Sequence, residues 1–267
     1  MTGIRRVVPL TLGWEELPVA YSLYGTDPDA RFRVPVPGVL LDTGDGWVLL
    51  DSGFNPTLLR DPLLRSRFHP LDGSIQAFLP DVDGHPLEAA IEEVGLALED
   101  VKLVAMSHLH NDHAGGVGLF AGRDVPVHVQ AAELAYALHD PDAEAHGIFR
   151  IDIEDPRLKW VQADGDVEVA PGIHAVLTAG HTPGHQSFVI DLADGGGLVL
   201  AFDAADLQAN LDQEHPIGGF VGVDPEQTVE PIRRLKALAA QKGYRLIPGH
   251  DPHVWPALTR ELAERHS

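Results

Sequence analysis

A short apolar stretch, Val101–Met106, runs without a spacer into Ser107-His108-Leu109-His110-Asn111-Asp112-His113. The stretch has the length and branching of a buried β-strand. A cluster of imidazoles and a carboxylate is therefore delivered at the end of a fixed scaffold, and this arrangement limits the fold more than any other feature of the chain. Residues two apart on an extended segment point the same way, so His108 and His110 can grip one cation. Asp112 and His113 fall where the chain turns into Ala114-Gly115-Gly116 and can present oxygen and nitrogen to a second. Neutral imidazole and carboxylate suit borderline divalent metals such as zinc.

Three later segments complete a two-metal site. Gly180-His181-Thr182-Pro183-Gly184-His185 is a glycine-punctuated loop with two histidines, and either can reach a cation. Leu198–Phe202 reads as a strand ending at Asp203, whose carboxylate can bridge two ions. Ile247-Pro248-Gly249-His250-Asp251 places another histidine after a strand and a Pro-Gly turn.

Composition narrows the chemistry. The 267 residues contain no cysteine, which excludes disulfides, thiolate zinc sites, cysteine nucleophiles and Cys-bound iron–sulfur clusters. Nineteen Lys and Arg against 40 Asp and Glu give a net charge of −21, a poor surface for nucleic acid or anionic lipid. No stretch approaches the roughly 20 apolar residues of a membrane span. The start, Met-Thr-Gly-Ile-Arg-Arg-Val-Val-Pro-Leu, lacks the continuous apolar region of a signal peptide, so the expected location is cytoplasmic. We expect one domain over 1–267, with neither repeats nor low-complexity linkers.

Val39–Asp42 and Trp47–Asp51 flank Thr43-Gly44-Asp45-Gly46 and predict a β-hairpin. Residues 55–86 read as a long loop, Leu87–Leu98 as a helix, Val125–Val129 as a strand, Ala131–His139 as a helix, and 140–166 as a second loop insertion. Strands are expected at Ile173–Leu177, Ser187–Asp191, Leu198–Phe202 and Arg245–Ile247, with helices at Pro225–Gln241 and Trp255–Arg265. Hairpins mixed with crossovers argue against a doubly wound sheet and for helices packed outside two sheets.

Ser107-His108-Leu109-His110-Asn111-Asp112-His113-Ala114-Gly115-Gly116 resembles the signature of the metallo-β-lactamase superfamily. The resemblance extends to Leu50-Asp51-Ser52-Gly53, Gly184-His185, Asp203 and Gly249-His250, and spans about residues 35 to 252. Thr182-Pro183-Gly184-His185-Gln186-Ser187, Phe202-Asp203-Ala204, and Arg234-Leu235-Lys236 ahead of Gly249-His250-Asp251 resemble its N-acyl-homoserine lactonase branch. The resemblance implies an α+β fold, a four-layer αβ/βα sandwich with the site at one edge. It implies two divalent metal ions, zinc first and iron, manganese or cobalt as alternatives. One would be held by His108, His110 and His185 and the other by Asp112, His113 and His250, with Asp203 bridging. His181 then has a supporting role, so its loss should be milder than that of His185, and Asp51 orients a ligand.

The implied activity is opening of a lactone ring, N-acyl-homoserine lactones and hence quorum quenching in particular, by a hydroxide held between the cations. Asp112 is the candidate that protonates the leaving alkoxide. The alternative is hydrolysis of a phosphotriester, aryl ester or thioester on the same site. The partner is a small-molecule lactone or ester, with neither nucleic acid nor membrane, and a homodimer stays open. One position departs from the branch: where it usually carries a tyrosine, three residues after the bridging aspartate, this chain has Asp206, which becomes a second catalytic candidate, with Tyr21 or Tyr24 as substitute hydroxyls. Asn111 stands where some relatives carry an aromatic. Val19–Tyr24 and Phe68–Phe78 are the candidate walls of an acyl groove.

Overall fold

The computed structural model describes residues 3–219 and 224–265. Among them, strands β1 (Arg6–Pro18), β2 (Arg31–Asp42), β3 (Trp47–Leu50), β4 (Gln76–Phe78), β5 (Val101–Ala105), β6 (Pro126–Gln130) and β7 (Lys159–Ala163) form one sheet in the order β4-β1-β2-β3-β5-β6-β7. A second sheet takes β8 (Val167–Ala170), β9 (Ile173–Leu177), β10 (Gln186–Asp191), β11 (Gly197–Leu200) and β12 (Arg245–Ile247) in the order β12-β11-β10-β9-β8.

The sandwich follows from strands that are apolar on both faces. Successive side chains on a strand point to opposite sides of its sheet. On β2, Val39 and Leu41 enter the layer between the sheets while Leu40 packs outward with Leu87, Ile91 and Leu134 from the helices Pro86–Glu93 and Ala131–His139. On β10, Phe188 and Ile190 face inward, and Val189 packs outward with Ile232, Leu235 and Ala239 of the helix Val229–Lys242. The layers therefore run helix, sheet, sheet, helix, the expected αβ/βα sandwich. Trp255, Leu258 and Leu262 of the helix Val254–Glu264 join the inner core. Each fully buried large side chain there contributes about 1.5–3 kcal/mol through burial.

The predicted hairpin is present: Val39 pairs with Leu50 and Asp42 with Trp47, and Gly44 takes φ +86° in the turn. Two expected loops carry more structure than their composition suggested. Within 55–86 lie the helices Pro56–Arg60 and Pro62–Phe68, each begun by proline and capped by a side chain: Asn55 accepts from the Thr57 amide, Asp61 from those of Leu63 and Leu64. Within 140–166 lie the helix Arg150–Ile153 and strand β7. The helix expected over Leu87–Leu98 stops at Glu93, because Gly95 at φ +81° turns the chain back onto the Glu92 carbonyl. Neither β1 nor β8 was assigned from sequence. A bulge between Thr11 and Gly13 breaks the alternation of β1, and a similar irregularity between Glu168 and Ala170 breaks that of the short β8.

Two parallel pairs position the site. β3 lies beside β5 and β11 beside β12, so Asp51 and Ser107 emerge together from one sheet, and Asp203 and His250 from the other. These strand ends meet at one edge of the sandwich, where Asp203 lies 3.2 Å from His113. Asp51 and Phe202, at φ +56° and +47°, hold the left-handed backbone that non-glycine residues avoid, at a cost of about 1–3 kcal/mol each. Both stand where a strand gives way to the site.

Candidate metal centre

Two clusters of potential ligands share one carboxylate. In the first, His108 Nε2 stands 3.0 Å from His110 Nδ1, which stands 2.9 Å from His181 Nε2. In the second, His113 Nε2 lies 3.0 Å from Asp112 Oδ2 and 3.3 Å from His250 Nε2. Asp203 divides its oxygens between them. Oδ1 is 3.2 Å from His113 and 3.1 Å from His250, whereas Oδ2 is 3.3 Å from His181 and 3.8 Å from His108. Tetrahedral zinc with bonds of about 2.0–2.1 Å requires ligand atoms about 3.3–3.4 Å apart. The donor types and spacings fit two such cations, with Asp203 common to both.

The structure corrects the choice between the two loop histidines. His181, not His185, joins His108 and His110. His185 is fully buried with both ring nitrogens engaged: Nδ1 lies 2.9 Å from Thr178 Oγ1, and Nε2 accepts the Asp203 amide at 3.1 Å. It braces the backbone of the shared aspartate. Gly184 permits this course, since a Cβ there would sit 2.2 Å from the Glu133 nitrogen.

Supporting bonds fix the orientations. Asp51 accepts the Ser107 amide at 2.7 Å on Oδ1, and on Oδ2 the Ser107 hydroxyl at 2.6 Å and the His113 Nδ1 proton at 2.7 Å. His250 donates from Nδ1 to the Pro35 carbonyl at 2.8 Å, which leaves Nε2 facing the centre. Asp51 thus holds Ser107 and the His113 ring by hydrogen bonds, and the family resemblance implies an orienting role for it. Glu133 was not anticipated. This buried carboxylate accepts the Leu109 amide on one oxygen and the Gly184 amide on the other, each at 3.0 Å. Its only sequence signal is an acid in the first turn of a helix otherwise apolar on its inner face.

Electrostatics separate the two clusters. Burial holds His110 down at about 3 and His181 at about 4, and His108 well below the ordinary histidine range. Burial disfavours protonation of His250 as well, but the Asp203 carboxylate overrides it and raises the pKa to about 10. Asp112, Asp203 and Asp51 likewise overcome burial to raise His113. Asp203 itself is held well below the usual carboxylate range, because His250 and His113 outweigh burial.

A cavity of about 730 Å³ opens onto the centre, reaching Asp112, His181, Asp203 and His250. Both expected wall segments line it, through Tyr21, Ser22, Phe68 and Ile75 among others. The Tyr21 hydroxyl lies 3.0 Å from Ser74 Oγ, and Tyr24 is half exposed. Asn111 lines the wall, and its Nδ2 donates to the Gly147 carbonyl at 2.9 Å. Asp206 stands at the inner end beside Ser22, 7% exposed, and burial and the Asp203 charge push its carboxyl up to about 7. Glu15 of β1 also lines this end, and burial, with the Asp112 charge, raises it well above the carboxylate range. Sequence reasoning missed Glu15, because its strand was not assigned.

Candidate ligands for divalent metal stand at the strand ends of an αβ/βα sandwich, the setting of a metal-dependent hydrolase, and the sequence pattern of the metallo-β-lactamase superfamily matches residues 32–250. The chain belongs to that superfamily. It is 32% identical over 225 residues to an N-acyl homoserine lactonase of Bacillus thuringiensis, covering 84% of each protein. The N-acyl homoserine lactonase AttM of Azorhizobium caulinodans is 32% identical over 241 residues, 86% of this chain and 87% of its own. The solved structure of an N-acyl homoserine lactone hydrolase, with its product N-hexanoyl-L-homoserine bound at the catalytic metal centre, superposes with a TM-score of 0.81 at 30% identity, covering 94% and 95% of the two chains.

Proposed function

We propose that this protein is a metal-dependent lactonase that opens the ring of N-acyl homoserine lactones, a quorum-quenching reaction, with two zinc ions at the strand-end centre. The observation that carries the reading is the division of the Asp203 carboxylate between two ligand clusters at the floor of a cavity large enough for an acyl lactone. His108, His110 and His181 would hold one cation, Asp112, His113 and His250 the other, and Asp203 both. When bound, the ions supply a water acidified toward neutral pH and a Lewis acid for the ester carbonyl oxygen.

The chain's own groups do the rest. Asp112 is ionised, because the neighbouring His113 outweighs burial. Its carboxylate takes a proton from the attacking water and returns it to the ring alkoxide as the C–O bond breaks. Asp206, when protonated, donates to the substrate carbonyl oxygen from the place the branch usually gives to a tyrosine. Phe68, Phe149 and Ile75 offer apolar surface to the acyl chain.

The test is a comparison of kcat/KM for the zinc-loaded protein on N-acyl homoserine lactones of several acyl lengths, a phosphotriester, an aryl ester and a thioester. The expected result is a preference for a lactone of at least tenfold, with label from ¹⁸O-water entering the product carboxylate in a single turnover. A higher value for the phosphotriester would overturn the lactonase assignment, and an ester trapped on a side chain would overturn attack by water.

A further inference from the structure

The loops bearing the imidazole cluster come from different sheets. His108 and His110 follow β5, whereas His181 lies between β9 and β10. At their base they are joined through Gln186, whose amide donates to the Ser107 carbonyl at 2.9 Å and whose Nε2 donates to the Met106 carbonyl at 2.7 Å. Level with the ligands, the tie is Glu133. One oxygen accepts the amide of Leu109, the residue between His108 and His110, and the other accepts the amide of Gly184, three residues beyond His181. The carboxylate is fully buried in the first turn of the helix Ala131–His139, where the helix dipole favours an anion.

We propose that Glu133 is a positioning residue that sets the separation of these two loops and thereby the cation affinity of the imidazole cluster alone. The proposal rests on the two-cation reading above. The other cluster has supports of its own, Asp51 at His113 and the Pro35 carbonyl at His250. Only a carboxylate can accept both amides. Glutamine keeps the shape but turns an NH₂ toward one N–H, donor against donor. Aspartate is one methylene too short to span both loops.

The experiment titrates metal-stripped wild type, Glu133→Gln, Glu133→Asp and His181→Ala with Zn²⁺ by calorimetry, and follows amide exchange of the metal-free proteins by NMR. Wild type should take up two equivalents. Both Glu133 variants should keep one equivalent at wild-type affinity and weaken the other about 10–100-fold, in the same step that His181→Ala removes. The Leu109 and Gly184 amides should exchange at least tenfold faster, while the Ser107 amide, held by Asp51, should be unchanged. Wild-type binding and exchange in the variants would overturn the inference alone, as would equal weakening of both steps. A wild type that binds a single equivalent would refute the two-cation reading and take the inference with it.

Discussion

The two ligand clusters sit side by side and share Asp203, yet they are built on opposite electrostatic principles. The imidazole cluster is kept neutral by burial and is ready for a cation over the whole physiological range, with His110 near 3 and His181 near 4. The acid-rich cluster contains Asp112 with His113 and His250, whose protons are held by neighbouring carboxylates. There a cation must displace protons; in the first cluster it need not. On the proposed two-cation reading, one fold edge would thus offer a site that fills without titrating and a site whose filling is linked to pH.

The largest expected effect erases the difference. Asp203→Ala removes the carboxylate common to both clusters and leaves His113 and His250 without their shared counter-charge. Hydrolysis should fall by at least about 10³-fold and bound metal from two ions toward none, as elemental analysis against activity will show. One ion retained at substantial activity would break the shared-carboxylate reading.

Next in size is the pH dependence of metal binding. His250 has its pKa raised to about 10 in the metal-free fold, so it carries its proton at pH 6–8 and must lose it to bind. Affinity at the acid-rich cluster should rise about tenfold per pH unit for each histidine that is deprotonated, roughly 100-fold or more from pH 6 to 8. Affinity at the imidazole cluster should stay nearly flat. The same shifts act on the metal-free fold with opposite signs. The raised His250 contributes stability that is fully present below the unfolded value near 6.5 and lost as pH rises through about 10. The depressed His110 and His181 cost nothing above 6.5 and disfavour folding as pH falls from there toward 4 and 3. Calorimetry in buffers of different ionisation enthalpy, with thermal unfolding across pH, checks both.

A third prediction separates His181 from His185. His181→Ala should weaken one cation and cut activity by more than about 100-fold; His185→Ala, which loosens only the backbone support of Asp203, should cost nearer tenfold. The reverse order would restore His185 as the ligand.

That pair also shows where the sequence stops being legible. The strand-to-histidine junction at 105–113, the hairpin ahead of Asp51, and the strands leading to Asp203 and His250 were all readable, because short apolar runs ending in ligand types leave a local trace. Which histidine of Gly180–His185 faces the centre is decided by tertiary contacts: Thr178 and the Asp203 amide claim His185, and Gly184 lies against Glu133. Glu133 and Glu15 were invisible for the same reason, since their meaning lies in partners far along the chain. The helices within 55–86 were a different matter. Their Asn-Pro and Asp-Pro starts were present, but short capped helices lack the periodicity that reveals longer ones.

The smallest expected effect concerns Asp206, at the inner end of the cavity, whose backbone carbonyl accepts the His250 amide at 2.8 Å. If its carboxyl donates to the substrate carbonyl oxygen, Asp206→Ala should lower lactone kcat/KM about tenfold, the equivalent of about 1.5 kcal/mol for a hydrogen bond to a developing charge. The sign of the pH dependence distinguishes this role from simple packing. The carboxyl is raised to about 7 by burial and by Asp203, so the donor form is present at lower pH and lost as pH rises through that value. Bound cations will draw the value down, which places the alkaline limb of kcat at or below about pH 7. Asp206→Asn keeps an N–H donor at every pH and should abolish the limb while retaining most of the rate; Asp206→Tyr, which restores the hydroxyl usual in the branch, should raise turnover on lactones. A limb that persists in Asp206→Asn would assign that titration to another group. Loss of lactonase activity in Asp206→Tyr, with another ester cleaved well by the unaltered protein, would show that this carboxyl serves a different substrate.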